Sequence, residues 1–176
     1  KYDSAGNLSW FNTFTNDSLN SHIGQGLSLD SDNNVYVIST ESVPFSLLNN
    51  YLLKYTSNGI LLWNKVFRGI LSNNGRNSGV PKGPVISSEG NSVYFSTMSA
   101  NGLGGGSYSI ATVKYNSLGD SQWVKVYNGG GIPGANRISN IRLDRFDNVY
   151  LCGSGYFETT GDDAIIVKYE PVGNQQ

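Results

Sequence analysis

Asp30, Asp32 and Asn34 stand in LDSDNNVYV with the D-x-D-x-N spacing that gathers oxygens around a calcium ion. A helix–loop–helix calcium site would add a carboxylate at the twelfth loop position, where Glu41 stands. It would also need glycine at the sixth, where Val35 stands instead. The Val-Tyr-Val-Ile run between them has strand composition, so the stretch reads first as a hairpin turn and second as a calcium site. Asp144 and Asp147 occupy a related turn without that spacing.

His22 is the only histidine, and a histidine facing a channel could move protons. The sequence gives it no nucleophile, second histidine or metal triad, and contains no G-x-S-x-G, H-E-x-x-H or C-x-x-C. Catalysis is therefore not expected, and no cofactor beyond calcium is. Cys152 is the only cysteine, which excludes an intrachain disulfide; within NVYLCGS it reads as a buried, inert thiol. The glycine tracts at 101–107 and 128–137 lack the Lys-Ser/Thr of a phosphate loop and open no helix, so they read as long loops. Arg68, Arg76, Lys82, Asn136 and Arg137 lie in or near such loops, where rigid scaffolds collect binding residues. They are the expected contacts for a polar ligand or partner. Sequons at Asn7 and Asn16 would matter only in a eukaryotic secretory route.

The elements that must position these residues come from a repeat. Lys1-Tyr2 with Gly6 and Trp10 recurs as Lys54-Tyr55 with Gly59 and Trp63, then as Lys114-Tyr115 with Gly119 and Trp123. Lys168-Tyr169 with Gly173 begins a fourth copy. The pattern K-Y-x-x-x-G-x-x-x-W keeps its internal spacing while the Lys positions 1, 54, 114 and 168 step by 53, 60 and 54 residues. Insertions thus fall in loops, and the motif is a structural unit. The approximate repeats are 1–53, 54–113 and 114–167, with 168–176 starting another, in a single domain over 1–176. Trp10, Trp63 and Trp123 hold one fixed place in the repeat, which favours packing between repeats over sugar stacking.

Between the copies lie LDSDNNVYVIST, ISSEGNSVYFSTM and LDRFDNVYLCGS, each an apolar run, a polar turn, then Val-Tyr and more apolar residues. Each is a hairpin signature, and the K-Y motif is another. Four antiparallel strands per period, with no apolar stripe at helical spacing, predict an all-β chain of propeller blades, about three of them. Closure takes about four to eight blades. Residues 1–14 and 139–170 therefore read as parts of blades completed by a longer propeller or by another copy, two chains making six.

The 176 residues, 38% of them hydrophobic, can bury a core. Only 14% are charged, against roughly 25% in ordinary domains, and the net charge is −1. There is no basic field for nucleic acid and no apolar run long enough for a membrane span.

On these motifs the chain resembles the bacterial seven-bladed beta-propeller repeats called SBBP. KYDSAGNLSW followed by LDSDNNVYVIST carries the resemblance, with DDAIIVKYE as entry to a third strand. The second copy departs from the pattern with Ser88, Glu89 and Gly90 and one extra turn residue. The resemblance implies a secreted or cell-surface protein and transfers no functional residue. The expected function is a non-catalytic propeller module that binds protein or glycan, or assembles through its open ends. The alternative is a fragment of a propeller enzyme, similar to quinone-dependent dehydrogenases or to lyases.

Overall fold

The computed structural model describes residues 1–15, 20–43, 47–70, 77–100, 108–129 and 136–176. Arg76, the sequon at Asn16, the tract 101–107 and positions 130–135 of the second glycine tract lie outside them.

The described residues form eleven β-strands and no helix. They are β1 (Ser21–Leu29), β2 (Val35–Val43), β3 (Leu47–Tyr55), β4 (Leu61–Phe67), β5 (Asn77–Ile86), β6 (Ser92–Ala100), β7 (Tyr108–Asn116), β8 (Ser121–Tyr127), β9 (Arg137–Leu143), β10 (Val149–Phe157) and β11 (Gly161–Tyr169). All pair antiparallel with their sequence neighbours, giving the sheets β1–β4, β5–β8 and β9–β11. A single bridge, Leu48 opposite Asn77, links the first two. The all-β expectation holds, in sheets of three or four strands.

The turns explain the sequence pattern. Between first and second strands the left-handed position is taken by Asn33 (φ 61°), Gly90 (φ 70°) and Asp147 (φ 61°), residue types that tolerate it. At its head the Asp30 carboxylate accepts N–H bonds from Asp32 (3.0 Å) and Asn34 (2.9 Å) and one from the Asn34 amide (3.0 Å). Asp144 does the same with Phe146 and Asn148. The K-Y turns end on Gly6, Gly59, Gly119 and Gly173, with φ between 84° and 90°. Behind each of the two complete hairpins the ladder shifts register at the Lys-Tyr step.

The sheets pack face to face. Tyr36, Ile38 and Leu52 of the first share a core with Val93, Phe95 and Val113 of the second. Tyr94 and Ile110 of the second meet Ile141, Val149 and Leu151 of the third. The first strands β1, β5 and β9 lie side by side, while β4 and β8 pair on one side only. Cys152 differs from expectation: it is exposed. It occupies the repeat position of Ile38 and Ser96, both 0% exposed, on a face of the third sheet against which no other sheet packs among the described residues. No helix among the described residues is long and apolar enough to cross a membrane.

Candidate functional site

β5 supplies the middle of a polar groove, and its sequence explains its shape. NSGVPKGPVI carries two prolines, which cannot donate to a ladder, and its register against β6 shifts on both sides of Lys82. The strand is thereby bulged, with the half-buried Lys82 between the shifts. β1 approaches so closely that a Cβ on Gly26 would lie 2.3 Å from the Gly83 carbonyl oxygen. Two residues on, the Ser28 hydroxyl donates to the Pro84 carbonyl at 2.5 Å.

Residues 25–28 of β1, 80–85 of β5, and Asn140 and Arg142 of β9 line an open groove of about 480 Å³. Arg142 Nη1 donates to Asn140 Oδ1 and to the Ile141 carbonyl, both at 2.8 Å, which fixes the guanidinium at the wall. The ion pairs found among the described residues involve neither Lys82 nor Arg142. The groove therefore offers two cations beside the polar side chains of Gln25, Ser28 and Asn140. Such a lining can hold an anionic, hydroxylated ligand by charge-assisted hydrogen bonds. Its volume falls within the roughly 300–1,000 Å³ of small-ligand sites.

Lys82 is thus a strand residue facing the groove, whereas the other expected contacts are scattered. Arg68 is exposed just beyond β4, and Arg137 is exposed at the start of β9. Asn136 is 2% exposed, its amide bridging the carbonyls of Tyr108 (3.2 Å) and Asn128 (3.0 Å). Sequence reasoning passed over Arg142, Asn140 and Gln25. The signal was present in RISNIRL, where Asn140 and Arg142 alternate with buried Ile141, as period-two patterning requires.

Asp30, Asp32 and Asn34 sit in the β1–β2 turn. Besides its three N–H donors, Asp30 has the Lys54 ammonium 3.6 Å away. Burial pushes its carboxyl up, but the bonds from Asn34 and the Lys54 charge outweigh that and hold it below the ordinary value. No group of three His, Cys, Asp or Glu arranged for a metal occurs among the described residues.

His22 lies in another cluster. Glu41, 2% exposed, accepts bonds from Asn20 (3.0 Å), Asn49 (2.7 Å) and the Tyr51 hydroxyl (3.2 Å). His22 Nε2 is 3.9 Å from the same carboxylate, and its ring meets Phe14 and Tyr51 edge-on. These bonds tie β1, β2 and β3 together at one end of the first sheet.

The three tryptophans work between repeats. Trp10, Trp63 and Trp123 donate from Nε1 to the carbonyls of Ser57 (3.1 Å), Ser117 (3.2 Å) and Pro171 (3.0 Å). Lys1, Lys54 and Lys114 send their ammonium groups to the same three oxygens, at 3.2, 3.4 and 3.0 Å. Each repeat thus clasps one carbonyl in the next repeat's turn with both ends of its motif.

No protein-family model matches the chain, and no curated protein sequence matches it.

Proposed function

We propose that the chain is part of a β-propeller serving as a non-catalytic, extracellular or cell-surface binding module. Its ligand is an acidic glycan seated in the groove along β1, β5 and β9. Repeated four-stranded meanders, with first strands together and fourth strands outermost, support the propeller reading. The repeated clasp makes these sheets a stiff frame, on which function falls to loops and inner strands. The observation that carries the ligand class is the convergence of Lys82 and Arg142 on a groove otherwise lined by amide and hydroxyl groups. A sugar offers hydroxyls to the amides and carboxylate or sulfate to the cations. The scarcity of charge elsewhere on the chain makes this pair stand out, and the extracellular setting follows the repeat's resemblance to secreted or cell-surface proteins.

Calorimetric titration with a heparin-derived hexasaccharide, a polygalacturonate oligomer and neutral dextran tests the reading. One acidic oligomer should bind, weaken as salt is raised, and lose at least about tenfold in affinity in Lys82→Ala/Arg142→Ala, roughly 1.4 kcal/mol. Equal binding of dextran, or acidic binding untouched by the double substitution, would overturn it.

A further inference from the structure

We infer that the hydrogen bond between Asn50 and Thr97 is a recognition device, by which the first sheet accepts the second sheet and rejects the third. Repeats with a shared motif present similar faces, and misassembly of their units is a characteristic failure of repeat chains. A device that prevents it has to lie where the faces differ. Asn50 is 0% exposed, and its Nδ2 donates across the junction to Thr97 Oγ1, also 0% exposed, at 3.0 Å. Its Oδ1 accepts from the Thr40 hydroxyl of the neighbouring strand at 3.5 Å.

The faces that point along the stack differ at this level. In the first sheet the ladder pair Ile38–Leu52 is apolar and the next pair, Thr40–Asn50, is polar. In the second sheet the same two positions are exchanged in character: Ser96–Thr112 is polar and Met98–Ile110 apolar. Ser96 and Thr112 bond to each other at 2.9 Å, so this pair is satisfied within its own sheet. Met98 and Ile110 pack in the core that holds Leu151 of the third sheet. Asn50 differs from all of these, because its amide is matched from the neighbouring sheet.

The receiving faces differ to match. Position 97 of the second sheet corresponds to 153 of the third, each three residues beyond the Tyr of its Val-Tyr pair. Thr97 offers a hydroxyl there. Gly153 offers no side chain and has no room for one, since a Cβ would lie 1.9 Å from the Arg137 carbonyl oxygen. With the third sheet stacked on the first, Asn50 would be buried over Gly153 with its amide unmatched. That loss disfavours the wrong stack by about tenfold or more. With one copy's second sheet stacked on another's, Thr97 would face Ile110 and lose its donor. The asparagine thus selects a neighbour as a single buried asparagine selects register in a coiled coil.

Refolding of the full chain from urea, over about a tenfold range of protein concentration, tests the inference. Asn50→Leu/Thr97→Val keeps the volume and removes both halves of the device. Its urea midpoint should equal or exceed the parent's, because an apolar pair replaces a desolvated polar one. The fraction recovered outside the parent's elution position in gel filtration should nevertheless rise about tenfold. Ser96→Ala/Thr112→Val removes a hydrogen bond within one sheet and should leave that fraction unchanged, whatever it does to the midpoint. Thr97→Val alone leaves the Asn50 amide unmatched in the right stack too, so it should lower the midpoint and raise misassembly together. Parent-like recovery of the Asn50→Leu/Thr97→Val chain overturns the proposal. An equal rise in Ser96→Ala/Thr112→Val also overturns it, since misassembly would then follow from altered packing alone. If the Asn50→Leu/Thr97→Val chain does not fold, Thr97→Val decides, and its full recovery at the parent's position would show that the amide selects nothing.

Discussion

Trp63 Nε1 donates to the backbone carbonyl of Ser117, 3.2 Å away and 54 residues along the chain. The Lys54 ammonium, whose residue pairs with Trp63 across the β3–β4 ladder, reaches the same oxygen. Lys54 also lies 4.8 Å from the Tyr36 ring centroid, and Tyr36 meets the Trp63 indole edge-on. Cation, two aromatic rings and a carbonyl therefore close one unit, repeated at Lys114, Tyr94 and Trp123. A carbonyl has two lone pairs, so both donors are accommodated on one acceptor.

Trp63→Phe keeps most of the apolar contact and removes the N–H. We expect a loss of about 1 kcal/mol, the net worth of one hydrogen bond, in urea unfolding. Trp63→Ala also opens a void between the sheets and should cost about 3 kcal/mol. A Trp63→Phe midpoint equal to the parent's would show that the clasp's hydrogen bond contributes nothing.

Gly119 and Gly6 share φ 84° but differ in surroundings. A Cβ at Gly119 would stand 2.6 Å from Lys65 Cε and 3.0 Å from Trp63 Cδ2, whereas none lies near at Gly6. Gly6→Ala should cost only the left-handed strain, about 1 kcal/mol. Gly119→Ala should cost about twice that, because the indole must shift or release its carbonyl. Thermal melts of the two variants side by side give the comparison.

The spacing K-Y-x-x-x-G-x-x-x-W made the hairpin and the fixed place of the tryptophan legible. It hid the partner, because the acceptor is a backbone carbonyl, carried equally well by Ser57, Ser117 and Pro171. Cys152 shows the complementary failure. An alternating strand states which side chains are apolar, but whether a second sheet covers them is a fact about neighbours. Asn136 failed for a third reason: a loop-like tract does not reveal that its last amide turns inward to hold strand ends. Lys82 was legible as a cation but not as a strand residue, since two prolines and a glycine read as loop and are here a bulge.

Calcium should leave the melting temperature unchanged. The Asp30 oxygens already take three N–H donors and sit beside Lys54, so a cation would have to break bonds that hold the turn. Asp30→Asn should destabilise the fold by about 1 to 2 kcal/mol through loss of charged acceptance. A calcium-dependent rise of several degrees, abolished by Asp30→Asn, would establish the metal site instead.

Stability should fall at both pH extremes, for opposite reasons. Burial, followed by the nearby Tyr127, pushes the Tyr169 hydroxyl up to about 12 from 10.0, and burial raises Tyr55, Tyr94 and Tyr115 as well. A group whose folded value is raised contributes fully below its unfolded value, and the contribution drains away as pH climbs from 10 towards 12. Burial lowers Lys114, which works against this loss in the alkaline range. On the acid side, Asn7 and Asn148 hold the Asp3 and Asp144 carboxyls below the ordinary 3.8, while at Asp30 burial opposes the lowering and is outweighed. Groups with lowered folded values stabilise above the unfolded value and lose that contribution as pH falls below about 4. Urea midpoints should therefore form a plateau from about pH 5 to 9 with a decline on either side. Tyr169→Phe separates the causes: it removes the group that must stay neutral, so its alkaline decline should be shallower than the parent's while its acid decline is unchanged. Parallel alkaline curves for parent and variant would show that Tyr169 ionisation is not coupled to unfolding.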